Sequence, residues 1–217
     1  MRAGEKCLVV GSGLSGSSAV ACLEYMGAEV TLYDSNEKLT QEDLRALLPA
    51  GSKAVCVTGE LPEEIGRVIC RAVLSPGVPV DIPLVNRLRE QGTEILGEIE
   101  LGYIEEKGRV AAITGTNGKT TTTTLVGEIM KAQLGADKVF VVGNIGNPYT
   151  LECTKTGPDT VTVGEISSFQ LETVHEFRPR VSAILNITPD HLNRHHTMEA
   201  YVAAKENIAM NQTKDDI

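Results

Sequence analysis

The chain has 217 residues, of which 41% are hydrophobic and 23% are charged, the composition of a globular protein with one or two buried cores. A net charge of −9 without a basic stripe argues against nucleic acid as a partner, and no apolar run is long enough for membrane insertion. The N-terminus lacks a signal-peptide layout and no C-x-x-C pair occurs, so we expect a soluble cytoplasmic protein with reduced thiols at Cys7, Cys22, Cys56, Cys70 and Cys153.

Apolar runs alternate with helical segments over the first 97 residues. Strands are predicted in KCLVVGSG, AEVTLYDS, SKAVCVTG, RAVLSPGVP and TEILG. Helices are predicted in LSGSSAVACLEYMGA and PLVNRLREQG, each ending near a glycine. Strands that alternate with helices favour a parallel sheet. The pattern therefore predicts a Rossmann-like α/β domain of five strands over residues 1–97.

A second α/β cycle is predicted over residues 98–217. Strands are expected in RVAAIT, KVFVVG, DTVTVGE and RVSAIL, and helices in TTLVGEIMKAQLG and TMEAYVAAKENIAMNQ. The closing TKDDI has the pattern of a turn followed by the first residue of another strand. We therefore expect a P-loop-type α/β domain that is incomplete at its C-terminus, with an unfinished sheet edge.

The segment GSGLSG, residues 11–16, matches the glycine fingerprint G-x-G-x-x-G between a strand and a helix. Asp34 ends the following strand, as the fingerprint requires. Glycines at this spacing let a helix N-terminus face a diphosphate, and a sugar nucleotide or a nicotinamide dinucleotide would satisfy the same N–H groups. Nothing downstream resembles a hydride-transfer site. An alternative is that the glycines serve only strand–helix packing.

The segment GTNGKT, residues 115–120, resembles a phosphate-binding P-loop, although Ile113 stands where the first glycine of the general pattern would be. Residues 115–118 can turn their N–H groups inward as an anion nest. Lys119 can reach the outer phosphates of a nucleotide, and Thr120 can offer its hydroxyl to Mg²⁺. Thr122 to Thr124 have the position of first-turn helix residues. The alternative is a polar strand–helix turn.

Lys205 lies on a predicted apolar helix face. Apolar residues recur with it at helical spacing, namely Met198, Tyr201, Val202, Ile208 and Ala209. Burying an ammonium group is costly, so two interpretations follow. The lysine either snorkels at the rim of the face, or has a depressed pKa that keeps it neutral long enough to react with CO₂.

These motifs together resemble the Mur ligase superfamily, which also includes folylpolyglutamate synthases. The resemblance is carried by GTNGKTTT, GNIG (residues 143–146), EISSFQLE (165–172), NITPDHLNRH (186–195), GSGLSG and LSPGVP. SSFQLE after an acidic residue is similar to the branch of the family that adds D-glutamate to UDP-N-acetylmuramoyl-L-alanine. The resemblance implies ATP-dependent amide bond formation through an acyl phosphate, in peptidoglycan precursor synthesis. Partners would be small molecules, with ATP and Mg²⁺ as cofactors and a monomeric chain.

The resemblance also implies site residues. The catalytic residues would be Lys119, His191 and Lys205. ATP would bind to Gly115, Thr116, Asn117, Gly118, Lys119, Thr120, Thr121 and Thr122. Mg²⁺ would bind to Thr120, Glu165 and a carbamylated Lys205. The UDP-sugar substrate would contact Leu14, Ser15, Asp34, Ser35, Asn36, Ser75, Gly77, Asn144, Ser167 and Gln170, each of which could instead be a turn or capping residue.

Alternatives remain open at this point. A zinc site at His191, His195 and His196 lacks a thiolate or second cluster to support it. Family members carry a third domain that positions the amino acid, so we expect residues 1–217 alone to lack ligase activity. An NAD-dependent oxidoreductase built on GSGLSG and a noncatalytic nucleotide-binding fragment are the rival interpretations.

Overall fold

The computed structural model describes residues 3–217. The chain divides into two compact units, Met1–Leu101 and Gly102–Ile217. Each unit is an α/β structure around a purely parallel sheet, which is the fold class that the sequence predicts. Over the described range, no helix has both the length and the apolar character needed to cross a membrane.

The first unit contains a five-stranded sheet in the order β3-β2-β1-β4-β5. Its strands are β1 (Lys6–Val10), β2 (Glu29–Asp34), β3 (Val55–Thr58), β4 (Arg71–Leu74) and β5 (Glu94–Gly97). Its helices are α1 (Leu14–Tyr25), α2 (Gln41–Ala46), α3 (Glu63–Gly66) and α4 (Pro83–Glu90), and α5 (Glu98–Glu105) runs across the division between the units. All five strands were predicted from the sequence, whereas α2, α3 and α5 were not.

Both faces of the central strand β1 are buried. Leu8 and Val10 join a core cluster with Val85 of α4, while the alternating residues Cys7 and Val9 are buried on the other face. A strand covered on both faces must be apolar throughout, which explains the continuous run CLVV.

The second unit contains a four-stranded sheet in the order β7-β8-β6-β9. Its strands are β6 (Arg109–Thr114), β7 (Val139–Gly143), β8 (Val161–Glu165) and β9 (Val181–Ile184). Its helices are α6 (Lys119–Leu134), α7 (Tyr149–Glu152), α8 (Ser168–Leu171), α9 (Leu192–His195) and α10 (Met198–Glu206), with short 3₁₀ helices at Ala136–Lys138, Cys153–Lys155 and Asn207–Ala209. Since the strands are parallel, their carboxyl ends meet at one edge, where such sheets hold ligands.

Helix α6 begins at Lys119 and so includes the whole threonine run, whereas the sequence predicted a helix from Thr123. Threonine is a modest helix former, but packing outweighs that preference. Val126 and Met130 pack on a core of Ile113, Val139 and Val163. At Gly127 an added Cβ would lie 2.6 Å from Val141 Cγ2, so this glycine lets the helix approach the sheet closely.

The last residue pairs with the edge strand β9. Ile217 N donates a hydrogen bond to Arg180 O (3.0 Å), and Ser182 N donates to Ile217 O (2.8 Å). Ile217 thus donates to one residue of the neighbouring chain segment and accepts from the residue two positions later, as in a parallel ladder. Ile217 therefore has the strand-like position that the TKDDI pattern predicts. Asp216, next to it, receives hydrogen bonds from Arg178 (2.8 Å) and Arg180 (3.0 Å).

Candidate functional site

The loop of residues 115–118, here called the anion loop, connects β6 to α6 as the sequence predicts. Gly115 has a φ of +151° and Gly118 has a φ of +82°, values that a side chain disfavours. Gly118 is the N-cap of α6, and no side chain in the described part of the protein caps this end. The first N–H groups of a helix have no partner within it, so this end of α6 can bind an anion.

Two lysine side chains converge on one carbonyl of the anion loop. Lys119 Nζ donates to Gly115 O (2.9 Å) and Thr116 O (3.0 Å), and Lys205 Nζ donates to the same Gly115 O (2.8 Å). Both lysines were predicted to be catalytic, but their shared hydrogen-bond acceptor, the carbonyl of Gly115, was not predicted. The structure therefore places two cationic groups at the loop expected to hold phosphates.

Lys205 is only 1% exposed, so it does not snorkel at the rim of its helix. Its ammonium group also lies 4.7 Å from the centre of the Tyr201 ring. Burial, together with the positive charge of Lys119, lowers the pKa of Lys205 to about 8, and Asp190 opposes this shift. A larger fraction of Lys205 is therefore neutral near neutral pH than of an ordinary lysine, as the carbamylation interpretation requires.

Glu165 ends β8 beside the strand that carries the anion loop, with Ile113 and Glu165 as register partners. Its side chain is 1% exposed. Glu165 Oε1 accepts a hydrogen bond from Asn144 Nδ2 (2.8 Å), while Glu165 Oε2 is buried and has no hydrogen-bond partner among residues 3–217. A buried carboxylate oxygen without a protein donor fits a cation ligand, so the residues present fit Mg²⁺.

Asn144, which was predicted to contact the sugar or diphosphate of the substrate, is hydrogen-bonded to Glu165. Asn144 N also donates to Glu165 O (2.8 Å), so both its backbone and its side chain hold the glutamate. The preceding residue, Gly143, has a φ of +95°, and an added Cβ there would lie 2.2 Å from Glu165 O. Glycine at 143 thus permits the contact between the ends of β7 and β8.

Ser167 and Gln170 form the capping box of α8. Ser167 N and Oγ both donate to Gln170 Oε1 (2.9 Å each), and Gln170 N donates to Ser167 Oγ (3.3 Å). These two predicted substrate contacts therefore have the capping role that the sequence left open for them, and they fix the backbone that follows Glu165.

His191 lies at the N-terminus of α9 with a left-handed backbone, φ +52°. Its N–H donates to Asp190 Oδ1 (2.8 Å), and its ring lies 4.9 Å from that of Phe169 between centroids. Histidine tolerates this backbone region better than most residues but is still uncommon in it. Such backbone strain recurs at functional sites, so it supports a functional interpretation of His191.

A buried chain of hydrogen-bonding groups lies beside these residues and was not predicted. His195 Nε2 lies 2.9 Å from Ser168 Oγ, and His195 Nδ1 lies 3.4 Å from Glu172 Oε1. Burial lowers the pKa of His195, and Glu172 opposes the shift. A neutral ring with its proton on Nδ1 can accept from Ser168 and face Glu172 with its N–H, and these contacts tie α9 to α8.

In the first unit the fingerprint loop, residues 11–16, has the geometry that its glycines predict. Gly11 has a φ of +96°, and Ser75 Oγ donates to Gly11 O (3.1 Å). At Gly16 an added Cβ would lie 1.9 Å from Gly11 O, so only glycine fits between the turn and α1. Close strand–helix packing is therefore one role of the fingerprint.

Asp34 is bonded to the fingerprint loop. Its Oδ2 accepts from Ser12 N (2.9 Å) and Ser12 Oγ (2.6 Å), and its Oδ1 accepts from Asn36 N (3.0 Å). Burial alone would raise the pKa of Asp34, but the hydrogen bonds from Ser12 and Asn36 hold it below its ordinary value. The carboxylate is charged and holds the loop beside it.

The other predicted substrate residues of this unit line the surface. Leu14, the first residue of α1, is 61% exposed. Ser15 is half-buried, and Ser35, Asn36 and Gly77 are exposed. Thr120 and Thr121, at the start of α6, are exposed as well, and Thr122 is half-buried. All of these residues are at least partly exposed to solvent.

Two of the residues bonded to the anion loop, Asn186 and Tyr201, were not assigned roles from the sequence. Asn186 bonds to Asn117, and Tyr201 OH lies 3.1 Å from Thr116 Oγ1. Asn186 stands within the quoted segment NITPDHLNRH, but only its position after β9 could have drawn attention to it.

Comparison with known proteins places both units in one family. A family model described as the Mur ligase middle domain matches residues 113–217, and one described as the Mur ligase MurD-like N-terminal domain matches residues 5–97. A UDP-N-acetylmuramoylalanine--D-glutamate ligase from Lachnoclostridium phytofermentans is 57% identical over 98% of this chain and 46% of the relative. The ligase of the same name from Clostridioides difficile strain 630 is 45% identical over 98% of this chain and 47% of the relative. The chain thus spans about half the length of the curated relatives it matches.

Solved structures show the same fold at low sequence identity. The UDP-N-acetylmuramate:L-alanyl-gamma-D-glutamyl-meso-diaminopimelate ligase from Neisseria meningitides superposes with a TM-score of 0.57 at 14% identity, covering 99% of this chain and 70% of that one. A murein peptide ligase from Psychrobacter arcticus 273-4 has a TM-score of 0.52 at 16% identity, covering 94% of this chain and 46% of that one. With two matching family models that together cover most of its length, the chain belongs to the Mur ligase family.

Proposed function

We propose that this chain carries the nucleotide-sugar-binding and ATP-binding parts of a ligase that adds D-glutamate to UDP-N-acetylmuramoyl-L-alanine. Residues 1–97 would bind the UDP-sugar and residues 98–217 would bind ATP with Mg²⁺. The identity of 57% to a ligase named for this reaction supports the choice of substrates. We further propose a monomer in the cytoplasm that acts on small molecules in cell-wall precursor synthesis.

The observation that carries the proposal is the buried, unpartnered Oε2 of Glu165. This oxygen lies at the end of β8, whose neighbour β6 leads into the anion loop. A P-loop ligase needs a carboxylate near its phosphate loop for the metal that accompanies a triphosphate. Bound Mg²⁺ would supply charge neutralisation between the phosphates and the substrate carboxylate.

The roles of the second unit follow from charge and position. Lys119, at the start of α6, would leave the carbonyls of Gly115 and Thr116 to hold the outer phosphates. Thr120, Glu165 and Lys205 in its carbamylated form would hold Mg²⁺. His191 would contact the reacting groups. Repulsion between the substrate carboxylate and the triphosphate opposes the reaction, so these positive groups lower its barrier by electrostatic stabilisation.

We propose that the fingerprint loop of the first unit binds a sugar nucleotide, with Asp34 beside it. In dinucleotide-binding proteins the acidic residue at the position of Asp34 binds ribose hydroxyls. Here both oxygens of Asp34 already accept hydrogen bonds from Ser12 and Asn36. A carboxylate has about four acceptor sites, so Asp34 can still contact the ribose or uracil of the UDP-sugar while it holds the loop. We propose that the diphosphate lies at the N-terminus of α1, near Leu14 and Ser15, with Ser75 and Gly77 beside it.

Calorimetric titration of the chain tests both sites. We expect binding of UDP-N-acetylmuramoyl-L-alanine and of ATP with Mg²⁺, and no binding of NADH. A Glu165→Gln variant removes one charge at nearly constant shape, so it should lose most of the dependence of ATP affinity on Mg²⁺, about tenfold or more. Glu199→Gln, the same change at an exposed position of α10, should leave that dependence intact. Binding of NADH in place of the UDP-sugar would instead favour an oxidoreductase.

A further inference from the structure

The segment that follows β9 is hydrogen-bonded to Thr116 of the anion loop. Thr116 N donates to Asn186 O (2.9 Å). Thr188 N donates to Thr116 Oγ1 (3.0 Å), and Thr116 Oγ1 donates to Thr188 O (3.1 Å). The hydroxyl of Tyr201 lies 3.1 Å from the same Oγ1. Residues 185–188, here called the loop strap, are thus bonded to the anion loop, and Tyr201 bonds the same loop to α10.

At the centre of the loop strap the side chain of Asn186 pairs with the backbone of Asn117. Asn117 N donates to Asn186 Oδ1 (2.9 Å), and Asn186 Nδ2 donates to Asn117 O (3.0 Å). One planar amide therefore satisfies both the donor and the acceptor of a loop residue. This arrangement fixes the rotation of the peptide groups on either side of Asn117.

The close fit at Gly115 supports the same relationship. An added Cβ at Gly115 would lie 3.2 Å from Leu185 Cβ and 3.3 Å from Asn186 O. The loop strap therefore packs directly against the glycine that opens the anion loop. The N–H groups of Thr116 and Asn117 both donate to Asn186 of the strap. The N–H groups left for a ligand are therefore those at the start of α6.

We propose that Asn186 is a positioning residue that holds the anion loop in its triphosphate-binding shape, an inference that rests on the proposed function. Asn117 N is already bonded to Asn186, so the phosphates are left to the N–H groups of Gly118, Lys119 and Thr120. A loop fixed before binding loses less conformational freedom when the ligand arrives, which favours affinity. Asn186 acts through the loop and does not touch the ligand.

Amide hydrogen exchange at Asn117, measured by NMR on the unliganded chain, tests the strap directly. In an Asn186→Ala variant the Asn117 N–H loses its acceptor, so its exchange should accelerate about fivefold or more. An Asn211→Ala variant is the matched control, because Asn211 also makes two side-chain hydrogen bonds, to the carbonyls of His175 and Phe177. The control should leave exchange at Asn117 unchanged.

The second measurement is the affinity for ATP with Mg²⁺ in the same variants. Asn186→Ala should weaken it about tenfold, and Asn211→Ala should not. The nearly isosteric Asn186→Asp variant guards against misfolding. It keeps an acceptor for Asn117 N but loses the donor to Asn117 O, so we expect slow exchange at Asn117 together with weakened nucleotide binding.

Unchanged exchange at Asn117 in Asn186→Ala would overturn the inference, and so would faster exchange with unaltered nucleotide affinity. Failure of the unmutated chain to bind ATP with Mg²⁺ would contradict the proposed function. Exchange at Asn117 would still decide in that case whether Asn186 holds the loop, because that measurement needs no ligand.

Discussion

Lys119 and Lys205 donate hydrogen bonds to the same carbonyl oxygen, that of Gly115, at 2.9 and 2.8 Å. One lysine begins the helix that follows the anion loop, and the other lies on α10. Each ammonium group raises the electrostatic energy of the other, and burial adds to this for Lys205. A triphosphate that draws Lys119 outward would relieve that repulsion.

Under the proposed function, replacing Lys205 by alanine should lower the rate of amide ligation about a hundredfold or more, because the proposed carbamate ligand for Mg²⁺ can no longer form. Added formate or acetate should restore part of the activity by occupying the space of the lost carboxylate. The measurement is D-glutamate-dependent phosphate release by the complete gene product. Lys214→Ala, at an exposed position, should behave like the unmutated enzyme. Failure of every short carboxylic acid to restore activity would count against carbamylation.

Replacing Gly143 by alanine should destabilise the second unit by about 3 kcal/mol or more, because the left-handed backbone and a clash with Glu165 O act together. Gly146 provides the matched control. It has a φ of +99° but no atom within 4 Å of an added Cβ, so Gly146→Ala should cost only about 1–2 kcal/mol. Urea denaturation followed by circular dichroism measures both. Equal losses would show that the contact with Glu165 adds nothing.

Cys70 should react with iodoacetamide at pH 8 while Cys7 stays unmodified. Burial raises the pKa of Cys7 to about 11 from an ordinary 9.0, with Glu5 contributing in the same direction, so its thiolate fraction falls about a hundredfold. Cys70 is exposed. Peptide mass spectrometry of the labelled chain distinguishes the two, and labelling in denaturant should modify both. Comparable rates in the folded chain would contradict the buried position of Cys7.

Acid should destabilise the chain in part through Asp216. The backbone N–H of Thr213 and the guanidinium groups of Arg178 and Arg180 hold the pKa of Asp216 well below its ordinary value of 3.8. A carboxyl whose pKa is lower in the folded than in the unfolded chain stabilises the fold above pH 3.8, and this contribution is lost as the pH falls further. Thermal melting between pH 7 and pH 2 should therefore differ less in Asp216→Asn than in the unmutated chain. The neighbouring Asp215→Asn should keep the full dependence.

Local spacing was enough to predict the strands, the two glycine loops and the helix face that carries Lys205. In a parallel α/β chain these features depend on residues close in the sequence, since a strand, a turn and a helix follow one another. The periodicity of its helix placed Lys205 on the apolar face but left snorkelling and burial as alternatives, and the structure shows that the side chain is buried. The hydrogen-bond acceptor of Lys205 could not be predicted from this pattern, because Gly115 lies far away in the sequence.

The contacts that support the site depend on strand order. Asn144 meets Glu165 because β7 lies beside β8, and Asn186 meets Asn117 because β9 lies beside β6. The alternation of strands and helices does not specify that order. Short polar residues after a strand can either cap a helix or contact a ligand. The sequence therefore left both roles open for Ser167 and Gln170, and the structure shows that they form a capping box.

The left-handed backbone of His191 lets the shape of its turn be separated from the chemistry of its ring. Asparagine adopts this region readily, so His191→Asn would preserve the path of the chain while it removes the imidazole. A branched side chain such as valine would disturb both. The effect of His191→Asn would therefore report on the imidazole, and any further loss in His191→Val would report on the backbone of the turn.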